Sequence, residues 1–434
     1  MPDKPFDLLI DNGLVLTLDD QDRRFNPGAV GISGDSIAWV GPRDAIPRTD
    51  SRKTMDARGG IVMPGLINLH THAAMTLFRG LADDLPLMTW LEEHIFPAEA
   101  GLDAERVYWG ALLACAEMIR SGTTCFCDMY LYTEAVARAA RDSGMRAVVG
   151  EVLYDFPSPN YGPIEAGFAY TENLIETWRD DPLVSIAVEP HSPYLCAPDL
   201  LTRAAALAGD QGIPMVIHLA ETQSEVARIE EKFGCTPVGH LDNLGVLTDY
   251  LIAPHCVVLS NGDRDLLAAH GTKVAHNPHS NMKLASGVAP IPELLAAGVC
   301  VGLGTDGCAS NNNLDLFAEM DTAAKLHKVH RLDPIAMDAP ATLGMATRQG
   351  ARALGLNTGS LAVDKRADLI IVDTAQPHLT PMYNPVSHLV YAAGGHDVTT
   401  TIVNGRVLME GRRLTTIDEG EVMARVNEIA RQLS

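Results

Sequence analysis

Two histidines, His70 and His72, close an apolar run that begins at Ile61. In a strand, residues two apart share a face, so both imidazoles point at one place. His191, His218, His255, His276 and Asp306 stand at or just after the ends of comparable apolar runs. Nitrogen and carboxylate donors without a thiolate suit zinc or iron(II). Three imidazoles and one carboxylate leave a position for water, and the cation's charge brings the pKa of that water toward neutrality. The chemistry that follows is hydrolysis. Glu221, three residues after His218 in "IHLAETQSEV", is a carboxylic acid placed to carry a proton to a leaving group. The competing reading of Glu221 is a helix start, because "ETQSEV" has that character. For the whole set, the bland alternative is polar side chains that merely satisfy one another. His94, His240, His270, His327, His330 and His396 fall in helices or loops and read as surface or packing residues.

The elements that must position these groups repeat. Eight apolar, β-rich runs lie near 61–70, 123–128, 145–153, 184–190, 214–219, 250–255, 272–276 and 299–305. Helical segments alternate with them, such as "ERVYWGALLACAEMIRSG" and "PDLLTRAAALAGDQG", each closed by a glycine. Strand–helix alternation of this kind predicts an α/β fold, a (β/α)8 barrel, whose chemistry sits at the C-terminal strand ends. Short strand signals with Asn-Gly and Gly-Asp turns fill the first sixty residues and return at 367–373 and 399–414. Such pieces are marginal alone, so both termini are expected to build one small β-sandwich, 1–60 plus 366–434, beside a barrel over 61–365.

The bulk numbers narrow the partners. With 33 basic and 55 acidic residues the 434-residue chain carries a formal charge of −22, which repels nucleic acid and anionic membrane surfaces. No apolar run approaches membrane-spanning length, and the start has no signal-peptide pattern, so a cytoplasmic protein is expected. The eight cysteines are scattered; Cys125 and Cys127 read as buried thiols.

Five motifs in order, "PGLINLHTH", "IHLAET", "HCVVLS", "HNPHSNMKLASGVAP" and "GLGTDGCASNNNLDLFAEM", resemble the amidohydrolase superfamily. Within it the chain is most similar to the 5′-methylthioadenosine/S-adenosylhomocysteine deaminases. The resemblance implies His70, His72, His218 and Asp306 as ligands of a single divalent ion, normally zinc. It implies His255 as the residue that orients the attacking water, Glu221 as the acid that protonates purine N1, and Asp306 also as the base. The "VSIAVEPHSPY" segment lacks the lysine that bridges two metals in dinuclear members, which again implies one ion. Glu99 matches a carboxylate that holds ribose hydroxyls, Trp90 an aromatic wall, and His191 a substrate contact. His276 is implied in the shell around the metal or purine, His279 reads as structural, and Ser310, Asn311 and Asn312 as fixing the loop after Asp306. The implied reaction deaminates an adenosine-type nucleoside, a small-molecule partner, in a dimer or tetramer.

Relatives that accept S-adenosylhomocysteine carry arginines where this chain has Glu151 and Ala169, which favours 5′-methylthioadenosine. The rivals are guanine or 8-oxoguanine deaminases and triazine-type chlorohydrolases, which need no ribose-binding carboxylate. More remote is a non-catalytic scaffold, against which the complete ligand set counts.

Overall fold

The computed structural model describes residues 5–47, 51–85 and 87–433. Eight short parallel strands form the barrel: β1 (Leu66–Thr71), β2 (Thr123–Tyr130), β3 (Arg146–Leu153), β4 (Val184–Ile186 with Glu189–Pro190), β5 (Met215–Val216), β6 (Leu251–Pro254), β7 (Lys273–His276) and β8 (Val301–Leu303). Every residue of β1, β2 and β3 is buried, as expected for strands covered on both faces. Hydrogen-bond ladders join β1 through β4 and, separately, β5 through β8. Two seams close the circle. Val188 bridges Met215 between β4 and β5, and the Asp306 amide donates to the His70 carbonyl at 2.9 Å between β8 and β1. Gly304 makes the second seam possible, since a Cβ there would stand 2.8 Å from the His70 nitrogen and 2.9 Å from its oxygen.

The apolar run expected over 61–70 is two strands. Ile61–Pro64 pairs in parallel with Leu14 and Val15 and antiparallel with Leu369–Val372, outside the barrel. Gly65 turns the chain inward, where a Cβ would collide with Thr124. The barrel's first strand therefore begins at Leu66 rather than Ile61.

Nine strands from both termini form one hydrogen-bonded sheet. Ile32 and Ile37 from the N-terminal part share an apolar cluster with Leu369, Ile371 and Ile402 from the C-terminal part. Contact between strands so far apart in the pairing order requires the sheet to fold over its own apolar face. The span 366–434 also ends on an α-helix, Glu419–Leu433, whose Val422, Val426 and Ile429 join the barrel's core cluster. A buried ion pair ties the sheet to the barrel base: Arg146, the first residue of β3, donates to both oxygens of Asp368 at 2.8 and 3.2 Å. Among the described residues no helix is long and apolar enough to cross a membrane.

Candidate metal centre and substrate pocket

The β1 strand delivers His70 and the residue after it His72, and the residues just after β5 and β8 deliver His218 and Asp306. Their ligand atoms converge. The ring nitrogens of His70, His72 and His218 lie within 4.8 Å of one another. His70 Nε2 is 3.2 Å from His218 Nε2, and Asp306 Oδ1 is 3.2 Å from His72 Nε2 and 3.6 Å from His70 Nε2. Tetrahedral zinc, with bonds of about 2.0–2.2 Å, sets ligand atoms roughly 3.3–3.6 Å apart. His218 Nδ1 donates to the His191 carbonyl at 2.9 Å, and His72 Nδ1 donates to the Met129 carbonyl. In the neutral rings both Nε2 atoms are therefore lone pairs aimed at one point, with the backbone carbonyls fixing each tautomer as they do around bound metals. The residues fit a divalent cation.

Charge balance agrees. Burial disfavours the protonated rings, holding His70 down to about 4 and His218 well below the ordinary histidine range. Burial opposes charge on His72 too, but Asp306 outweighs it and lifts that ring to about 9. Burial likewise opposes charge on Asp306, yet His70 and His72 keep its carboxyl well below the usual range. A bound divalent cation would displace the His72 proton and take its place beside Asp306.

The loop geometry explains how Asp306 is held. Its backbone is left-handed, at φ +61°, and three donors fix the carboxylate: Gly307 N–H at 2.8 Å on Oδ1, Ser280 Oγ at 2.6 Å and Ser310 Oγ at 3.1 Å on Oδ2. Asn311 secures the same turn by donating to the Thr305 carbonyl at 2.6 Å, and Asn312 closes its short helix in a left-handed conformation.

Glu221 does not cap the helix that follows. Thr222 is the N-cap, accepting from Glu225 N–H at 3.2 Å, and the Glu225 carboxylate reaches back to the amides of Ala220 and Glu221 at 2.9 and 2.7 Å. That capping interaction pins the backbone of a strained turn, Ala220 at φ +52°, and leaves the Glu221 side chain free to face the pocket. Burial raises the Glu221 pKa, with His255 pulling the other way from 3.9 Å. His255 is itself oriented by Asn281, whose Oδ1 accepts from Nδ1 at 2.9 Å.

A pocket opens over this centre. Trp90, Glu99, His191, His218, Glu221, His255 and Asp306 all border it. Trp90 and Glu99 lie on one helical segment, 87–99, interrupted by a π-turn at Leu91–Ile95, a distortion common at functional sites. Burial lifts Glu99 to about 7 and lowers His191 to about 3, so the latter is a neutral imidazole.

Three expectations need correction. Glu151 is fully buried and does not line the pocket; its carboxylate accepts from Thr133 N–H and Asn160 Nδ2, each at 2.9 Å. Ala169 is exposed on the helix Ile164–Trp178. Neither side chain borders the pocket to touch a ligand there. His276 is buried against His327, Nε2 to Nε2 at 3.1 Å, and does not border the pocket. His279 instead bridges Glu319 at 2.8 Å and Thr322 at 2.6 Å, as a structural residue would. Glu225 and Asn281, which the sequence motifs do not single out, hold the Glu221 backbone and the His255 ring in place. The Thr-x-x-Glu spacing of a capping box could have exposed Glu225, whereas nothing local marks Asn281.

The chain matches the amidohydrolase family over residues 61–408. It is 61% identical over 431 residues to a 5-methylthioadenosine/S-adenosylhomocysteine deaminase of Syntrophobacter fumaroxidans, covering 98% of each chain. It is 46% identical over 429 residues to a 5′-deoxyadenosine deaminase of Methanosarcina mazei, again covering 98% of each. A zinc-bound adenosine deaminase from Xanthomonas campestris superposes with a TM-score of 0.97 at 41% identity, covering 100% of this chain and 99% of that one. Sequence match, barrel and converging imidazoles lead to one conclusion: the chain belongs to the amidohydrolase family.

Proposed function

We propose that this protein is a metal-dependent hydrolase that deaminates adenosine-type nucleosides, 5′-methylthioadenosine foremost, giving 5′-methylthioinosine and ammonia. The observation that carries the reading is one pocket bordered by both a metal-fitting cluster and the carboxylates Glu221 and Glu99. The three relatives above, each named as a deaminase of an adenosine or its 5′-derivatives, support the same substrate class.

His70, His72, His218 and Asp306 would hold one divalent ion, zinc by its donor set, which when bound acidifies a neighbouring water and stabilises charge on oxygen. The protein's own groups do the rest. Glu99 accepts the vicinal ribose hydroxyls, two donors suited to one carboxylate. Trp90 and His191 wall the nucleoside. His255, fixed by Asn281, orients the water, and Asp306 takes its proton. The water oxygen bonds to C6 while Glu221 gives a proton to N1, the role its burial-raised pKa favours. Asp306 passes the proton it took to the amino nitrogen, the C6–N bond breaks as ammonia leaves, and the C6 hydroxyl returns a proton to Glu221, so that the ring becomes hypoxanthine.

The test is direct. Zinc-loaded protein is mixed with 5′-methylthioadenosine, adenosine and guanine, and the ultraviolet change and ammonia release are followed. Turnover of the nucleosides with none of guanine is expected; turnover of guanine alone would overturn the reading.

A further inference from the structure

The pocket is chemically lopsided. Among its described lining residues Glu99, Glu221 and Asp306 are acidic and no lysine or arginine is present. Away from the metal-fitting cluster its wall is apolar: Leu91, Ile95, Phe96, Val152 and Tyr154. Phe96 and Glu99 stand three apart on one helical segment, so their side chains share a face. Tyr154 lies close enough to Glu99 to feel its charge. Phe156 stacks on Tyr154, ring centroids 3.9 Å apart and planes 13° from parallel, and also approaches Phe96 at 6.1 Å. An aromatic shelf therefore flanks the carboxylate assigned to the ribose diol.

In a nucleoside the 5′ carbon branches from the sugar beside the 3′ hydroxyl. A ribose seated on Glu99 must then present its 5′ substituent to the side chains flanking that residue. We infer that Phe96 and Tyr154, the latter buttressed by Phe156, select substrates with a small uncharged 5′ substituent, above all a thioether, and reject those with a charged amino-acid tail. Sulfur packs well against aromatic rings. The charged tail of S-adenosylhomocysteine would instead meet this apolar wall, where no lysine or arginine among the described lining residues could pair with its carboxylate. This inference rests on the deamination proposed above and names the residues that set its selectivity.

The experiment compares kcat/KM for 5′-methylthioadenosine, 5′-deoxyadenosine, adenosine and S-adenosylhomocysteine in the zinc-loaded wild type, Phe96→Ala, Tyr154→Leu and Phe96→Arg. A contact of one-carbon size changes selectivity roughly ten- to two-hundredfold. The wild type should prefer methylthioadenosine over S-adenosylhomocysteine by at least that order. Phe96→Ala and Tyr154→Leu should cut the methylthioadenosine-to-adenosine ratio by about tenfold or more, mainly through KM. Phe96→Arg, at a partly exposed position, should raise the S-adenosylhomocysteine-to-methylthioadenosine ratio. Equal wild-type rates on the two thioethers, or unchanged ratios in the variants, would overturn the inference while leaving deamination standing. A wild type that deaminates none of the four would remove both.

Discussion

The two ends of the barrel solve opposite problems. At the base, Arg146 and Asp368 are buried but complete: the guanidinium also donates to Pro182 and Asn404, and Asp368 accepts the Asn404 amide at 2.7 Å. At the mouth, buried polar atoms are left open: His70 Nδ1, Asp128 Oδ2 and both oxygens of Glu189 have no partner among the described residues. Left-handed backbone occurs there as well, at Ala220, His255 and Asp306. Strain and unpaired polarity cost free energy and persist where the chain needs groups aimed at something else. One end ties the barrel to the terminal sheet, and the other aims polar groups toward a pocket.

That contrast breaks first at the ligands. Asp306→Ala or His218→Ala should abolish both metal retention, measured by elemental analysis, and ammonia release, while the thermal midpoint of the metal-free protein stays near that of the wild type. Next in size, Glu221→Gln should keep its metal and lose about a hundred- to ten-thousandfold in kcat, the usual reach of general acid catalysis. Because burial raises the Glu221 pKa and the acid must be protonated to work, wild-type kcat/KM should fall as pH rises through that pKa. A profile without an alkaline limb would contradict the assignment.

At the base the signs reverse. Asp368→Ala leaves a buried guanidinium without its counter-ion and should destabilise folding by about 3–5 kcal/mol, read from denaturant melts, with kcat per folded molecule unchanged. The smallest effect belongs to Glu189. Burial raises its pKa well above the ordinary glutamate range, so the native state favours the neutral acid. Its contribution is present at low pH and lost as pH rises through the folded value. Glu189→Gln should therefore gain in thermal midpoint over the wild type on the alkaline side; a difference that does not vary with pH would refute this.

Much of the mouth was legible because strand periodicity is local: His70 and His72 share a face by spacing alone, and each further ligand follows its own apolar run. Strand ends were less so. The run at 214–219 is a regular strand only over Met215–Val216, although Ile217 and Leu219 still donate to Ile252 and Pro254 on one side and His218 to His191 on the other. Ile61–Pro64 is apolar for the terminal sheet rather than the barrel, a choice made by long-range pairing that composition cannot show. Glu151 misleads as a selectivity residue for a related reason. Alignment gives a residue's place in the chain, whereas the amide of Thr133 and the side chain of Asn160 decide where its carboxylate goes.

The central claim is that one cation, held by His70, His72, His218 and Asp306, makes the mouth reactive. Metal-stripped protein titrated with zinc while the adenine-to-hypoxanthine absorbance change is followed tests it most directly. Activity should rise from nothing and level off at one equivalent; full turnover by the stripped protein, or a plateau only at two equivalents, would contradict it.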